Sequence, residues 1–97
     1  KGQTLRLPLN QIRYFSSDRR SVNAVTPEDF YTFYGKLSEL ETEMPDNFVR
    51  IHNRYLVNLK YVQSIQGNSV LIDEEELPVS RSCKQDLAIA FAKYMLE

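Results

Sequence analysis

Residues 48–59 read Phe48-Val49-Arg50-Ile51-His52-Asn53-Arg54-Tyr55-Leu56-Val57-Asn58-Leu59. Phe48 to Ile51 and Tyr55 to Val57 are β-prone runs, and His52-Asn53-Arg54 interrupts them with polar residues suited to a turn. Two strands joined by a basic turn are therefore expected. The segment sits in a longer stretch, Asn47 to Ile72, that has no acidic residue but holds Arg50, Arg54, Lys60 and the only histidine, His52. Four acids follow at once, Asp73 to Glu76. A partner meets this local polarity rather than the sum over the chain.

Downstream, Lys60 to Ile65 and Ser69 to Ile72 flank Gln66-Gly67-Asn68, which predicts a hairpin with its turn residues in place. Leu77 to Val79 is a further short strand. Ser82 followed by Gln85 fits the cap of a terminal helix, in which Leu87, Phe91, Tyr94 and Met95 form one apolar stripe. Upstream, Leu5, Leu7 and Leu9 alternate with polar residues and Pro8, the pattern of an edge strand. Ile12, Tyr14 and Phe15 make a second strand, and the six polar residues Ser16 to Ser21 form a loop. Val22 to Val25 and Phe30 to Tyr34 read as a hairpin around Thr26-Pro27-Glu28-Asp29. Leu37, Leu40, Glu41 and Met44 fall at helical spacing, with Ser38 and Glu41 as a capping box and Pro45 as the stop. Tyr14, Phe15, Phe30, Phe33 and Phe48 belong to apolar strand patterns and are assigned to the core. The class is mostly β with short α-helices.

The chain has 97 residues, 42% hydrophobic and 26% charged, with seven Gly plus Pro. That composition is globular, and the length suits one domain over residues 1–97. Beginning at Lys1 without a methionine, it is expected to be a fragment of a longer protein. Cys83 is the only cysteine, so no internal disulfide forms and a reducing, cytoplasmic setting is expected. No apolar run approaches the ~18 residues of a membrane span.

An enzyme needs a base, a nucleophile or a metal cluster. His52 and Cys83 stand 31 positions apart with no activated-nucleophile turn around either. Zinc sites want four suitable ligands, which the chain does not supply at the required spacings. Asp73 to Glu76 reads as a solvated turn in preference to a cation site. Neither an enzyme nor a bound metal or cofactor is expected.

What remains is three basic turn elements, at Arg19-Arg20, at Arg50 to Arg54 and at Arg81 to Lys84. Each lies where a strand ends or a helix begins, so its side chains project from a rigid scaffold. Guanidinium groups chelate guanine edges and phosphates, and an asparagine amide pairs with adenine. On residue types alone the turns suit either duplex DNA or an acidic partner protein. The second reading makes the chain a non-catalytic β-rich interaction module.

The segment 48–59 resembles the signature of the LytTR family of bacterial DNA-binding output domains, F-x-R-x-H-(R/K/N)-x-(Y/F)-x-V-N. Y-F-S-S-D-R-R-S from Tyr14 is similar to the family's first DNA-facing loop, and Y-G-K-L-S-E-L-E from Tyr34 to its short helix. L-P-V-S-R-S-C-K from Leu77 is similar to its strand-to-helix junction. The resemblance implies small antiparallel sheets with a C-terminal helix, and loops that enter successive major grooves of promoter DNA. It implies base contacts from Asn53 and Arg81 and a third groove contact from the loop bearing Arg19, Arg20 and Ser21. Arg54, Ser82 and Lys84 then fall at phosphate-contacting positions. It also implies a receiver domain N-terminal to this one, a two-component system, and pairs of domains on direct repeats. From the residues themselves, no long apolar stripe is left over once the two helices pack on the sheets, and helix 36–44 is too short for a coiled coil, so the isolated domain is expected to be monomeric. Two positions depart from the family pattern: Cys83 stands where many relatives carry a basic residue, and Arg19-Arg20-Ser21 replaces a frequent Gly-Asn-Tyr. His52 and Asn58 read as structural residues that tie turns through hydrogen bonds.

Overall fold

Strands β1 (Tyr14–Asp18), β2 (Ser21–Val25) and β3 (Phe30–Tyr34) form an antiparallel meander, and β1 pairs along its other side with β5 (Tyr55–Asn58), which pairs with β4 (Phe48–His52). In the computed structural model, which describes residues 8–96, these five strands form one antiparallel sheet in the order β3-β2-β1-β5-β4. A second antiparallel sheet holds β6 (Val62–Gln66), β7 (Ser69–Ile72) and β8 (Glu75–Pro78). Helix α1 (Leu37–Glu43) links β3 to β4, and α2 (Lys84–Leu96) ends the chain. The architecture is mostly β with short helices.

Away from the exposed edge strand β3, the five-stranded sheet is covered on both faces because its strands alternate between two apolar sets. Phe15, Val22, Ala24, Phe48 and Leu56 face α1, packing with Ile12 and Leu37. Tyr14, Ile51 and Val57 face the other way, onto Val62, Val70, Ile72 and Leu77 of the small sheet and Leu87 of α2. Burial of each large aliphatic or aromatic side chain contributes about 1.5–3 kcal/mol, so the two clusters dominate stability. A one-residue slip of any of these strands would turn its side chains to the opposite face and undo both clusters.

Several elements differ from the sequence reading. The strand expected over Leu5 to Leu9 lies mainly outside the described residues, and Leu9 itself is 37% exposed in a 3-10 turn, Leu9–Gln11. Ser16 to Asp18 continue β1 instead of starting a loop, because their backbones pair with β2 down to Asp18 opposite Ser21. Only Arg19 and Arg20 make the turn, and no Asn-Gly pair marks it. Lys60 and Tyr61 are in a 3-10 turn, Leu59–Tyr61, which the Asn58 side chain caps by accepting from the Lys60 N–H. Neither proposed capping box forms. Lys36 precedes α1 with no side-chain cap bond, and a 3-10 turn, Arg81–Cys83, is interposed before α2. Phe30 and Phe33 are 59% and 40% exposed because β3 is a sheet edge, although the Phe33 ring still meets that of the core residue Phe15 edge to face at 6.4 Å. Met95 is 67% exposed, and Ala90 takes its place beside Phe91 and Tyr94 on the packed face of α2.

Candidate nucleic-acid interface

Antiparallel pairing decides which turns share an end of the sheet. β1 ends at Asp18 where β2 begins at Ser21, and Ser21 lies opposite Tyr34 at the end of β3. On the other side Ser16 pairs with Tyr55, and the Ser17 N–H donates to the Arg54 carbonyl at 2.9 Å. The Arg19-Arg20 turn and the His52-Asn53-Arg54 turn are thus neighbours. A β-bulge between Arg50 and His52 interrupts the β4–β5 ladder, and the carbonyl of the intervening Ile51 accepts from the Ser80 N–H at 2.8 Å. That bond brings the third basic element, starting at Arg81, to the same end. The three turns therefore converge, although 62 residues separate Arg19 from Arg81 in the chain.

Their side chains are outward. Arg19, Arg20, Asn53, Arg54, Arg81, Ser82 and Lys84 are all exposed, while Ser21 is half-buried within the ladder. Two ion pairs are found among the described residues, Arg13–Asp73 and Arg50–Glu41, and none of these exposed cations takes part in either. Lys36, which the sequence reading did not single out, joins this end: the adjacent Gly35 N–H donates to the Arg20 carbonyl at 3.0 Å, and Lys36 is exposed. Only the pairing of β3 with β2 brings it here, so no local signal marks it.

The backbone beneath these side chains is firmly held. Arg19 has φ +62°, the left-handed region that costs a non-glycine residue about 1–2 kcal/mol; the paired residues on either side enforce it. His52 Nδ1 accepts the Arg54 N–H at 3.2 Å, and its ring stands 5.8 Å from that of Tyr55. The histidine ties the turn, as its sequence context suggests. Asn58 is fully buried: its Oδ1 accepts from Asn47 Nδ2 at 2.8 Å and from the Lys60 N–H at 3.0 Å, and its Nδ2 donates to the Ile12 carbonyl at 2.9 Å. Cys83 is half-buried against the core cluster that holds Leu87.

The acidic run lies at the opposite end. Asp73 pairs with Arg13 at 3.1 Å, and Glu75 accepts the Tyr14 hydroxyl at 2.9 Å. The run is not the purely solvated turn its composition suggests, since Glu75 and Glu76 belong to β8. Burial, then the bond to Glu75 and its charge, raises the Tyr14 pKa well above the ordinary tyrosine value.

A strand scaffold that brings three basic turns together at one end defines a turn-presenting domain. The chain belongs to the LytTr DNA-binding domain family, whose sequence profile matches residues 2–91. Among solved structures it is similar to the LytTr DNA-binding domain of a protein described as a methyl-accepting/DNA response regulator, from Bacillus cereus. The two share 23% sequence identity with a TM-score of 0.77, over 87% of this chain and 84% of the other. A comparison with curated protein sequences finds no match. No helix among the described residues is long and apolar enough to cross a membrane.

Proposed function

We propose that this chain is the effector domain of a bacterial transcription regulator and binds promoter DNA sequence-specifically, with its three basic turns entering the major groove from one side of the duplex. The convergence of Arg19-Arg20, Asn53-Arg54 and Arg81 at one end of the five-stranded sheet carries the reading. In it, Asn53 and Arg81 read base edges, Arg19, Arg20 and Ser21 supply a third groove contact, and Arg54, Ser82 and Lys84 grip phosphates. Residues 1–97 act as one domain of a longer cytoplasmic protein, without a cofactor. An N-terminal receiver domain controls pairing on direct repeats, and the isolated domain is a monomer whose avidity comes from that receiver domain.

Duplex binding should weaken steeply with salt. If about five phosphates are neutralised, the slope of log affinity against log salt should be about −4 to −5. Fluorescence anisotropy with a promoter duplex at several salt concentrations measures it. The competing reading, an acidic protein as partner, would be favoured by a bound partner that excess duplex DNA fails to displace, and undetectable DNA binding at low salt would sink the DNA reading.

A further inference from the structure

Arg50 belongs by charge to the basic segment, yet its guanidinium is occupied within the chain. Nε donates to the His52 carbonyl at 2.8 Å, one terminal nitrogen to the Asn53 carbonyl at 3.1 Å, and the other to Glu41 Oε1 at 2.8 Å. A guanidinium is planar and its donor directions are fixed, so three acceptors held at once are fixed relative to one another. Two of them are carbonyls of the turn from which Asn53 and Arg54 project. That turn follows the bulge between Arg50 and His52, where the β4–β5 register shifts, and a single ladder pair, His52 with Tyr55, closes it. The third acceptor belongs to α1. Arg50 is the less exposed partner, its side chain 23% accessible against 43% for Glu41.

We infer that Arg50 and Glu41 are positioning residues for DNA reading: Arg50 braces the Asn53 turn by its two carbonyls, and Glu41 on α1 holds Arg50 in that pose. The inference rests on the DNA-binding function proposed above and makes Arg50 a contact to neither base nor phosphate. Its sign is distinctive. Removing an acid from a protein that binds a polyanion strengthens binding if charge alone matters. Loss of the Glu41 carboxylate should instead weaken binding to the specific site, because the brace on Asn53 loosens.

The test begins with duplexes enriched by the wild-type domain from a randomised pool. Affinities of wild type, Glu41→Gln, Arg50→Lys and the double variant are measured on an enriched and a scrambled duplex at several salt concentrations. Circular dichroism and thermal unfolding check folding, and amide exchange reports on the Arg54 N–H. Each single variant should lose about tenfold on the enriched duplex and stay within about twofold on the scrambled one, with the salt slope unchanged. The double variant should be no weaker than the weaker single, and the Arg54 amide should exchange faster in all three. Arg50→Lys keeps the charge but loses the fork, so it separates bracing from phosphate contact. Unchanged or tighter binding of the enriched duplex by Glu41→Gln overturns the inference, as does Arg50→Lys that keeps wild-type specificity. If the wild type enriches no sequence, the DNA reading falls and this inference with it. Enrichment by the wild type with unaltered variants overturns this inference alone.

Discussion

Arg81 opens a 3-10 turn whose backbone is anchored by the Ser80–Ile51 hydrogen bond, so its long side chain extends from a fixed point. A guanidinium so placed can meet a guanine O6 and N7 together, and the Asn53 amide can pair with adenine. Lys84, at the first position of α2, carries a point charge that suits phosphate alone. Arg81→Ala and Asn53→Ala should each cost about 1–3 kcal/mol on the specific duplex and spare most binding to a scrambled one. Lys84→Ala should weaken both alike and reduce the salt slope by about one. Anisotropy on both duplexes checks this, and equal losses for Arg81→Ala would make that residue a phosphate clamp. Asn58 acts at the same scale but on stability. Truncation of this fully buried side chain to alanine strands the buried Ile12 carbonyl and takes away the part-buried partner of the Lys60 N–H and the Asn47 amide. Asn58→Ala should lower the free energy of unfolding by about 2–4 kcal/mol in urea titrations.

At the scale of the element, α2 shows how one buried residue holds a helix whose surface is mostly wet. Leu87 is fully buried in the cluster shared by both sheets, with Ala90, Phe91 and Tyr94 half-buried on the same face. Met95, which helical spacing alone adds to that stripe, is exposed to solvent. Leu87→Ala should therefore cost about 2–5 kcal/mol, whereas Met95→Ala should change stability by less than about 0.5 kcal/mol. Paired thermal melts of the two variants decide between a continuous stripe and a single anchor. Strand β3 makes a related point. Its aromatic residues pack like core in any local pattern, and only its place at the sheet edge leaves Phe30 and Phe33 exposed.

Across the whole molecule, the three basic turns and the acidic run Asp73 to Glu76 lie at opposite ends of β1. The basic turns lie where β1 ends, whereas Asp73 of the β7–β8 turn and Glu75 of β8 meet Arg13 and Tyr14 where β1 begins. The five residues of β1 separate the two ends by about 16 Å, more than a Debye length at 0.15 M salt. A formal net charge of −1 is thus compatible with a strongly basic binding end. The Tyr14–Glu75 bond also joins the two sheets. Because folding raises the Tyr14 pKa, the neutral hydroxyl's contribution to stability is complete below the ordinary tyrosine value of about 10 and is lost as pH rises through the higher folded value. Tyr14→Phe should cost about 1 kcal/mol at neutral pH and make the decline in stability above pH ~10 shallower than in the wild type. Urea titrations across pH 7 to 11 measure both effects.

Local order in the chain was enough to determine the strand-rich class, the hairpin around Thr26 to Asp29, the turn at His52 to Arg54 and the structural roles of His52 and Asn58. Those features follow from period-two alternation and from the short-range hydrogen bonding of small polar side chains, which act within a few residues. The ends of β1, the real start of α2 and the exposure of Phe30 and Phe33 were decided by tertiary structure, since backbone pairing overrode side-chain polarity at Ser16 to Asp18. The candidate site divides in the same way. Its basic side chains are legible one by one, but their convergence, the arrival of Lys36 and the bracing of Asn53 by Arg50 and Glu41 depend on pairings and contacts between distant segments. No window of sequence holds that information, because an arginine that faces solvent and one whose fork closes on two carbonyls and a carboxylate are the same letter.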